Sequence, residues 1–432
     1  MGLPEMVLAQ KLLPFQDKNV PYLDAIRGVA VLFILIRHAW GLSGSPPFSL
    51  GVVDLTPLIV MMSSGVDLFF VLSGMLLSSR FLKNDASGRP SPSISHYMRA
   101  RILRIGPPYW VVLFLVVLLY TPHYIDNARV WSEWGAANFI AHATFMQTAF
   151  IWSFGTYGVA SPFWTLTIEM MFYLSLPFVV PLFYKGRWWQ GVVASVLVSI
   201  VWLYLARNGL TWLVDVIGRH DFDLPFNQEV IRFNLSHQIL SYLPHFAIGC
   251  AISVILQRFR GRTLTSELMG LIYFGLGILV VVAMMYFLGD ISMRNGFANP
   301  TLYILDFSRD ARAYYYLESI PFAFGYGLIL LGASLASNKL KANISSFPLL
   351  CIAGVLGYSI YLIHMPLLYT IRDHAWFAMD PRPYWKFFKL LFAGGGVVFL
   401  CSLGLFYAVE RPSMLLANRA SPVRDAVKEE VS

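Results

Sequence analysis

Ten apolar stretches, each long enough to cross a lipid bilayer, constrain the fold of this chain more than any other feature. A helix rises about 1.5 Å per residue, so about 20 apolar residues cover the ~30 Å hydrocarbon core. Only 13% of the 432 residues are charged and 57% are hydrophobic, which leaves too little polar surface for a water-soluble globule. We therefore predict an all-α polytopic membrane protein with about ten transmembrane helices enclosing a central pore. The predicted spans are 24–41, 58–78, 105–121, 163–184, 190–206, 237–256, 268–288, 314–336, 347–369 and 390–408.

A further stretch, 134–152, decides the topology because it is only moderately apolar. It contains Asn138, His142 and Gln147. If this stretch does not cross the membrane, 15 basic residues lie in short segments on one side, and about 11 lie in the longer loops on the opposite side. The positive-inside rule makes the first side cytoplasmic. We therefore predict a re-entrant or surface helix over 134–152, in a multi-pass protein of the inner or plasma membrane with cytoplasmic N- and C-termini.

The rest of the chain defines the predicted domains. Residues 1–20 form a cytoplasmic N-terminal segment, 21–412 the integral membrane domain, and 413–432 a polar cytoplasmic tail. The first span carries Arg27 and lacks a cleavage site, so we expect it to remain as an anchor. The net charge of +8 lies in short clusters beside the spans, which argues against a nucleic-acid partner. The three cysteines all lie inside apolar runs, so no metal site is predicted.

The first span contains the most informative pair of ionisable residues. Arg27 and His38 are eleven positions apart, which places them on one helix face about 16 Å apart along the axis. Asp24 precedes Arg27 by one turn. A charge at bilayer depth costs about 2.5 to 3.5 kcal/mol, so such residues are often functional. The alternative is that Arg27 extends its side chain to the inner interface and His38 is an interfacial polar residue.

The second, third and fourth spans also carry polar groups. Asp67 lies among small residues of the second span, a pattern typical of close helix packing. Arg101 and Arg104 are i,i+3 neighbours at the start of the third, where two guanidiniums can bind a phosphate such as those of coenzyme A, or can simply set the topology. Glu169 is the only carboxylate of the fourth span, with Thr165 and Tyr173 one turn to either side as local partners.

The ninth span ends on a polar stripe. Its residues Gly357, Tyr361 and His364 share one helix face, with His364 at the outer end. In the predicted topology His38, Glu169 and His364 lie in the outer half of the membrane, and Arg27, Arg101 and Arg104 lie at the inner side. We interpret His142 and His245 as structural histidines.

Six short motifs follow one another along the chain: Arg27-x10-His38, Asp67-Leu-Phe-Phe-Val-Leu-Ser-Gly74, Arg101-x-x-Arg104 before Pro-Tyr, Trp164-Thr-Leu with Glu169 and Phe172-Tyr173, Ser359-x-Tyr361-Leu362-x-His364, and Glu410-Arg-Pro412. In this order they resemble the acyltransferase-3 family of integral membrane O-acyltransferases, over about Tyr22 to Pro412. Two departures occur: Ala25-Ile26 stands in place of the more usual Gly-Leu, and Thr165 in place of Ser.

The resemblance implies transfer of an acyl group, commonly acetyl, from cytoplasmic acyl-CoA to a hydroxyl of a glycan, glycolipid or other acceptor. Acyl-CoA, with acetyl-CoA as the expected form, is then a co-substrate, and no tightly bound cofactor is implied. No fused hydrolase-like domain is found, so the chain is expected to act alone or to pass its acyl group to a separate protein. Whether the group is acetyl or succinyl, and whether the protein oligomerises, stays open.

The same resemblance assigns roles to residues. We predict His38 as general base or transient acyl carrier, with Arg27 and Glu169 as the other catalytic residues. Arg101 and Arg104, together with Arg27, are predicted to bind acyl-CoA. The predicted supporting and acceptor-side residues are Asp24, Asp67, Trp164, Tyr173, Ser359, Tyr361, His364 and Glu410. The alternative function is a polytopic transporter or exporter that uses the buried Arg, His and Glu as a proton or substrate path.

Overall fold

The computed structural model describes residues 21–86, 93–124, 135–150, 153, 157–185, 187–206, 234–258, 264–294, 319–378 and 380–419. Within these residues the protein is almost entirely helical. Its helices are α1 Pro21–Leu42, α2 Thr56–Val60, α3 Gly65–Ala86, α4 Ile94–Tyr124, α5 Gly135–Ala143, α6 Trp164–Lys185, α7 Trp188–Tyr204, α8 Ile239–Arg258, α9 Leu264–Arg294, α10 Ser319–Leu335, α11 Asn338–Ser345, α12 Pro348–Val355, α13 Gly357–Asp373, α14 Ala375–Ala378, α15 Pro383–Phe388, α16 Gly395–Leu405 and α17 Arg411–Arg419.

Short irregular pieces join some of these helices. The 3-10 segment Met61–Ser64 links α2 to α3, and a second, Gly158–Phe163, leads directly into α6. Two π-helical segments, Lys389–Gly394 and Phe406–Glu410, lie before and after α16. A hairpin of two-residue antiparallel strands follows α1, with Ser49 opposite Asp54.

The membrane prediction is confirmed. Seven helices in the described part of the chain are long and apolar enough to cross a bilayer, and nine are if each of two bent helix pairs forms one span. These nine coincide with nine of the ten predicted stretches. The tenth, 190–206, is the shorter apolar helix α7. Large apolar side chains such as Phe114, Phe178, Leu279 and Phe392 are more than half exposed, which suits helices whose outer faces contact lipid.

The described helices contain two bends, one inside the predicted span 347–369 and one just after the predicted span 314–336. Helices α12 and α13, predicted as one span over 347–369, meet at 81° across Leu356, and α10 and α11 meet at 116°. Next to the first bend, α12 packs closely on α1. A Cβ atom on Gly354 would lie 1.8 Å from the carbonyl oxygen of Asp24, and one on Gly28 would lie 2.0 Å from that of Leu350. The backbones therefore touch where only glycine fits.

Within 134–152, the described residues 135–150 do not form a spanning helix. Helix α5 has nine residues, or about 14 Å, which is less than half of the hydrocarbon thickness. At the other end of the chain, α17 continues to Arg419 and so passes the predicted boundary at Pro412. The predicted N-terminal segment 1–20 and the tail beyond 419 lie outside the described residues.

Candidate active site

Two histidines from distant parts of the chain meet at one end of the helical bundle. His38, near the end of α1, places its Nδ1 atom 3.1 Å from Nε2 of His364 in α13. The ring centroids are 5.0 Å apart. His364 is 1% exposed, and His38 is half-buried. We call this pair the histidine end of the site.

Contacts between α13 and the start of α6 hold His364 in place. Its Nδ1 atom lies 2.7 Å from the carbonyl oxygen of Tyr361, one turn earlier in the helix. The Tyr361 hydroxyl donates to the carbonyl oxygen of Pro162 and lies 2.6 Å from the hydroxyl of Thr165. Thr165 was predicted as a partner of Glu169. It instead contacts Tyr361 and so helps to hold His364 in place.

Trp164 lies beside this support. Its ring contacts the edge of His237 at 4.6 Å and lies 5.6 Å from the ring of Tyr242, both centroid distances. Trp110 and Trp202, by contrast, donate their indole N–H to the carbonyl oxygens of Ala143 and Leu235. Among the described residues no group accepts a hydrogen bond from the Trp164 nitrogen, and the residue is only half-buried. It can therefore offer both an aromatic face and a donor to a ligand.

Arg27 lies on the same helix as His38, toward the other end of the bundle. Its Nη1 atom forms an ion pair with Oδ1 of Asp24 at 2.6 Å. Its aliphatic stem packs on Gly357, where a Cβ atom would lie 3.7 Å from Cδ of Arg27. Because α1 is a continuous helix, Arg27 lies about 16 Å from His38 along the axis.

Arg101 and Arg104, on α4, complete what we call the arginine end of the site together with Arg27. Arg101 is 6% exposed, its Nε atom has no hydrogen-bond partner, and its guanidinium lies 5.9 and 6.0 Å from the rings of Tyr97 and Tyr173. Within the described residues neither Arg101 nor Arg104 forms an ion pair, although Arg104 lies within electrostatic range of Arg27. A buried cation without a carboxylate is costly and is suited to an anionic ligand.

Glu169 belongs to the arginine end rather than to the histidines. Its Oε1 atom accepts hydrogen bonds from the hydroxyls of Tyr173 and Ser73, the latter at 3.0 Å. It also lies within electrostatic range of Arg27. Among the described residues Glu169 bonds to neither histidine of the pair, so it does not orient them. Tyr173 was predictable as a partner from its spacing of four, whereas Ser73 comes from another helix.

Ser359 and Glu410 form a buried contact at the first turn of α13. The hydroxyl of Ser359 donates a 2.5 Å hydrogen bond to Oε2 of Glu410, and the two residues are 0% and 3% exposed. Glu410 lies within electrostatic range of Arg27 and Arg104. Tyr358, the residue before Ser359 in α13, donates to the carbonyl oxygen of Ile105 on α4 at 2.7 Å. The first turn of α13 is thus tied to the arginine end from two sides.

Asp67 pairs with a histidine that sequence reasoning treated as structural. Its Oδ1 atom lies 2.7 Å from Nε2 of His245, which is fully buried. The pair joins α3 to α8, whose backbones approach so closely that a Cβ atom on Gly249 would lie 2.3 Å from the carbonyl oxygen of Val71. The partner of Asp67 is thus on α8, and the tight packing expected for this span is present. Sequence spacing offers no signal for a pair 178 positions apart.

Fold and site together define an all-α polytopic membrane protein with a histidine pair and an arginine cluster inside its helical bundle. The model of the acyltransferase-3 family, described as an acyltransferase domain, matches residues 20–407. The chain therefore belongs to the acyltransferase-3 family, and the predicted resemblance is confirmed.

Several characterised proteins are similar to parts of this chain. Nodulation protein 10 of Rhizobium leguminosarum bv. viciae is 25% identical over 211 residues, covering 44% of this chain and 52% of that protein. Peptidoglycan O-acetyltransferase OatA of Listeria monocytogenes is 27% identical over 207 residues, covering 44% and 29%. O-acetyltransferase OatA of Staphylococcus aureus is 22% identical over 373 residues, covering 83% and 52%. The chain thus spans about half or less of these relatives. No solved structure matches it.

Proposed function

We propose that the protein is an acyl-CoA-dependent O-acyltransferase that moves an acetyl group to a hydroxyl of a carbohydrate-type acceptor. The observation that carries the proposal is the state of His38. Its Nδ1 atom is engaged by His364, whereas no side chain in the described part of the chain bonds its Nε2 atom. An imidazole with one nitrogen anchored and the other free is suited to take a proton from a hydroxyl. Membership of the family supports the reaction class.

The donor binds at the arginine end in this proposal. Arg101 and Arg104 offer two guanidiniums without ion pairs in the described part of the chain, and such groups bind phosphate oxygens bidentately. The phosphates of acyl-CoA fit this requirement. The pantetheine arm then extends past Arg27 toward His38. Acyl-CoA is consumed in the reaction and is a co-substrate rather than a resident cofactor.

The transfer needs one proton acceptor and no redox partner. His38 Nε2 takes the proton of the acceptor hydroxyl while the hydroxyl oxygen attacks the thioester carbonyl carbon. The C–O bond forms, the C–S bond breaks, and the departing thiolate takes the proton from His38 to leave the free thiol of CoA. Arg27 is about 16 Å from His38, so it positions the donor and does not contact the oxyanion. His38 can alternatively carry the acyl group transiently, and acid quenching would trap that acyl-histidine.

Glu169 was predicted as a catalytic residue on sequence grounds, and we propose a different role for it. Since it bonds Tyr173 and Ser73 and lies near Arg27, we assign it to holding the arginine end in shape. Tyr173 in turn forms one wall beside Arg101. Both act on the donor side and not on the transferred proton.

The two ends face different compartments in the proposal. The excess of basic residues on one side makes the arginine end cytoplasmic, where acyl-CoA is available, and makes both termini cytoplasmic. Residues 21–412 are then the membrane acyltransferase domain, with 1–20 and 413–432 as extensions. The histidine end faces the outer side, where a glycan or glycolipid acceptor would arrive.

We infer the chemical class of the acceptor from the side chain of Trp164 and from the names of the relatives. An aromatic face with an N–H that bonds no described residue suits a sugar ring, which has apolar C–H faces and hydroxyl acceptors. Two relatives are named as O-acetyltransferases, one of them a peptidoglycan O-acetyltransferase, which supports acetyl transfer to an envelope glycan.

The decisive experiment uses the purified protein in lipid nanodiscs with radiolabelled acetyl-CoA and an oligosaccharide panel. We expect label on the saccharide and release of one CoA thiol per acetyl group. His38→Ala should abolish both while the variant elutes as folded protein, and exposed His374→Ala should change neither. Full activity in His38→Ala would disprove the proposed mechanism.

The same preparation tests the transport alternative. The two bent helix pairs lie next to each other in the C-terminal half, so they are not matched repeats of the kind found in many transporters. Saccharide or proton uptake into vesicles without consumption of acetyl-CoA would nevertheless favour transport over transfer.

A further inference from the structure

We propose that His364 is a positioning residue that fixes the tautomer of His38, so that the free Nε2 atom of His38 carries the lone pair. This inference rests on the proposed function for its catalytic meaning, but the tautomer itself can be measured without any acyl transfer. It concerns a residue that touches neither the donor nor the acceptor in the proposal.

The first step concerns His364. Its Nδ1 atom lies 2.7 Å from the carbonyl oxygen of Tyr361. A carbonyl oxygen only accepts hydrogen bonds, so Nδ1 of His364 must carry a hydrogen. In the neutral imidazole the other nitrogen, Nε2, then has a lone pair and no hydrogen.

The second step passes this constraint to His38. Nε2 of His364 lies 3.1 Å from Nδ1 of His38, and one of the two atoms must donate. Since Nε2 of His364 is the acceptor, Nδ1 of His38 carries the hydrogen. The lone pair of His38 is therefore on Nε2, the nitrogen that no side chain in the described residues occupies. The carbonyl oxygen of Ile34, one turn earlier in α1, also accepts a hydrogen bond from the His38 ring, so His364 acts together with this backbone group. The opposite tautomer could not accept a proton at Nε2.

The third step explains why His364 can impose this choice. Its ring is buried, and the carbonyl oxygen that it bonds belongs to a rigid helical turn. Tyr361 is itself held by Pro162 and Thr165 at the start of α6. When His38 takes up a proton, the Nδ1–H bond to His364 persists and stabilises the imidazolium. The arrangement follows the general rule that a bond at one imidazole nitrogen sets the chemistry at the other.

The test labels the full-length protein with ¹⁵N-histidine in nanodiscs and assigns His38 by the signal lost in His38→Ala. We expect the Nδ1–H tautomer for His38 in the wild type and in His364→Gln, because the glutamine amide oxygen can accept from Nδ1–H. In His364→Leu, which leaves only the backbone carbonyl of Ile34 as an acceptor, the preference of His38 for the Nδ1–H tautomer should weaken. An Nε2–H tautomer in the wild type, or an unchanged His38 signal in His364→Leu, would overturn the inference.

Kinetics give the second readout. His364→Leu should lower kcat for acetyl transfer about 10- to 100-fold with little change in KM for acetyl-CoA, and His364→Gln should recover most of it. If His364→Leu fails to fold, His364→Gln against wild type still tests whether an acceptor alone suffices. If the tautomer is as expected but the wild type transfers no acetyl group, the proposed function fails and the positioning role stands.

Discussion

The hydroxyl of Ser359 donates a 2.5 Å hydrogen bond to the carboxyl group of Glu410, 51 positions later in the chain. This bond joins the first turn of α13, the helix that carries His364, to the π-helical segment Phe406–Glu410. Both side chains are buried, so neither has water as a substitute partner. The contact therefore fixes the bend between α12 and α13 relative to the rest of the bundle.

Ser359→Ala should destabilise the protein more than removal of an equally buried serine. It leaves a buried carboxyl group without its partner, at a cost of about 1 to 3 kcal/mol. Ser402→Ala is the matched control, since Ser402 is also 0% exposed but bonds only the carbonyl of Val398 in its own helix. Thermal unfolding of both variants in detergent, followed by size-exclusion chromatography, provides the comparison. Equal shifts in Tm would contradict a special role for the Ser359–Glu410 bond.

Arg104→Ala should weaken acetyl-CoA binding. The guanidinium has no ion pair in the described residues, so its loss removes an anion ligand without breaking a salt bridge. We expect KM for acetyl-CoA to rise about tenfold, corresponding to about 1.4 kcal/mol, and the effect to shrink at high salt. Exposed Arg99 on the same helix is the control for the loss of one positive charge. A similar effect of Arg99→Ala would indicate general electrostatics instead of a phosphate site.

Gly354→Ala should disrupt the packing of α12 on α1. The added Cβ atom would lie 1.8 Å from the carbonyl oxygen of Asp24, so one helix must move. Overpacking of this kind costs about 1 to 3 kcal/mol and would also shift Arg27. Gly396→Ala, where no atom lies within 4 Å of the new Cβ, should be neutral or slightly stabilising. Folded yield and Tm after expression of both variants distinguish them, and a Gly354→Ala protein as stable as Gly396→Ala would refute the close approach.

Trp164→Phe should weaken binding of the acceptor more than binding of the donor. The phenyl ring keeps part of the aromatic face but lacks the indole N–H, which bonds no described residue. We expect KM for the oligosaccharide to rise about three- to tenfold, from the loss of one hydrogen bond of about 0.5 to 1.5 kcal/mol, with KM for acetyl-CoA unchanged. Trp202→Phe is the control, because its N–H already bonds the carbonyl of Leu235. Equal changes in KM for the oligosaccharide and for acetyl-CoA would place Trp164 outside the acceptor site.

Local periodicity explains why much of the site could be predicted. Arg27 and His38 lie on one continuous helix, so their shared face and separation follow from helix geometry alone. Tyr173 is one turn from Glu169 and was predicted as its partner for the same reason. The pairing of Thr165 with Glu169 was predicted by the same reasoning and is wrong, because Tyr361 on α13 offers Thr165 a closer partner.

The amino-acid sequence alone predicts a polytopic membrane protein, the positions of nearly all its spans, and the ionisable residues that lie within them. These properties follow from hydrophobic run length and from the period of the helix, both of which are local. The fold was needed to show that His38 meets His364 across 326 positions, that Glu169 lies with the arginines, and that the ninth span bends at Leu356. Such contacts depend on how helices rotate and approach one another, and that is set by packing between residues remote in the chain.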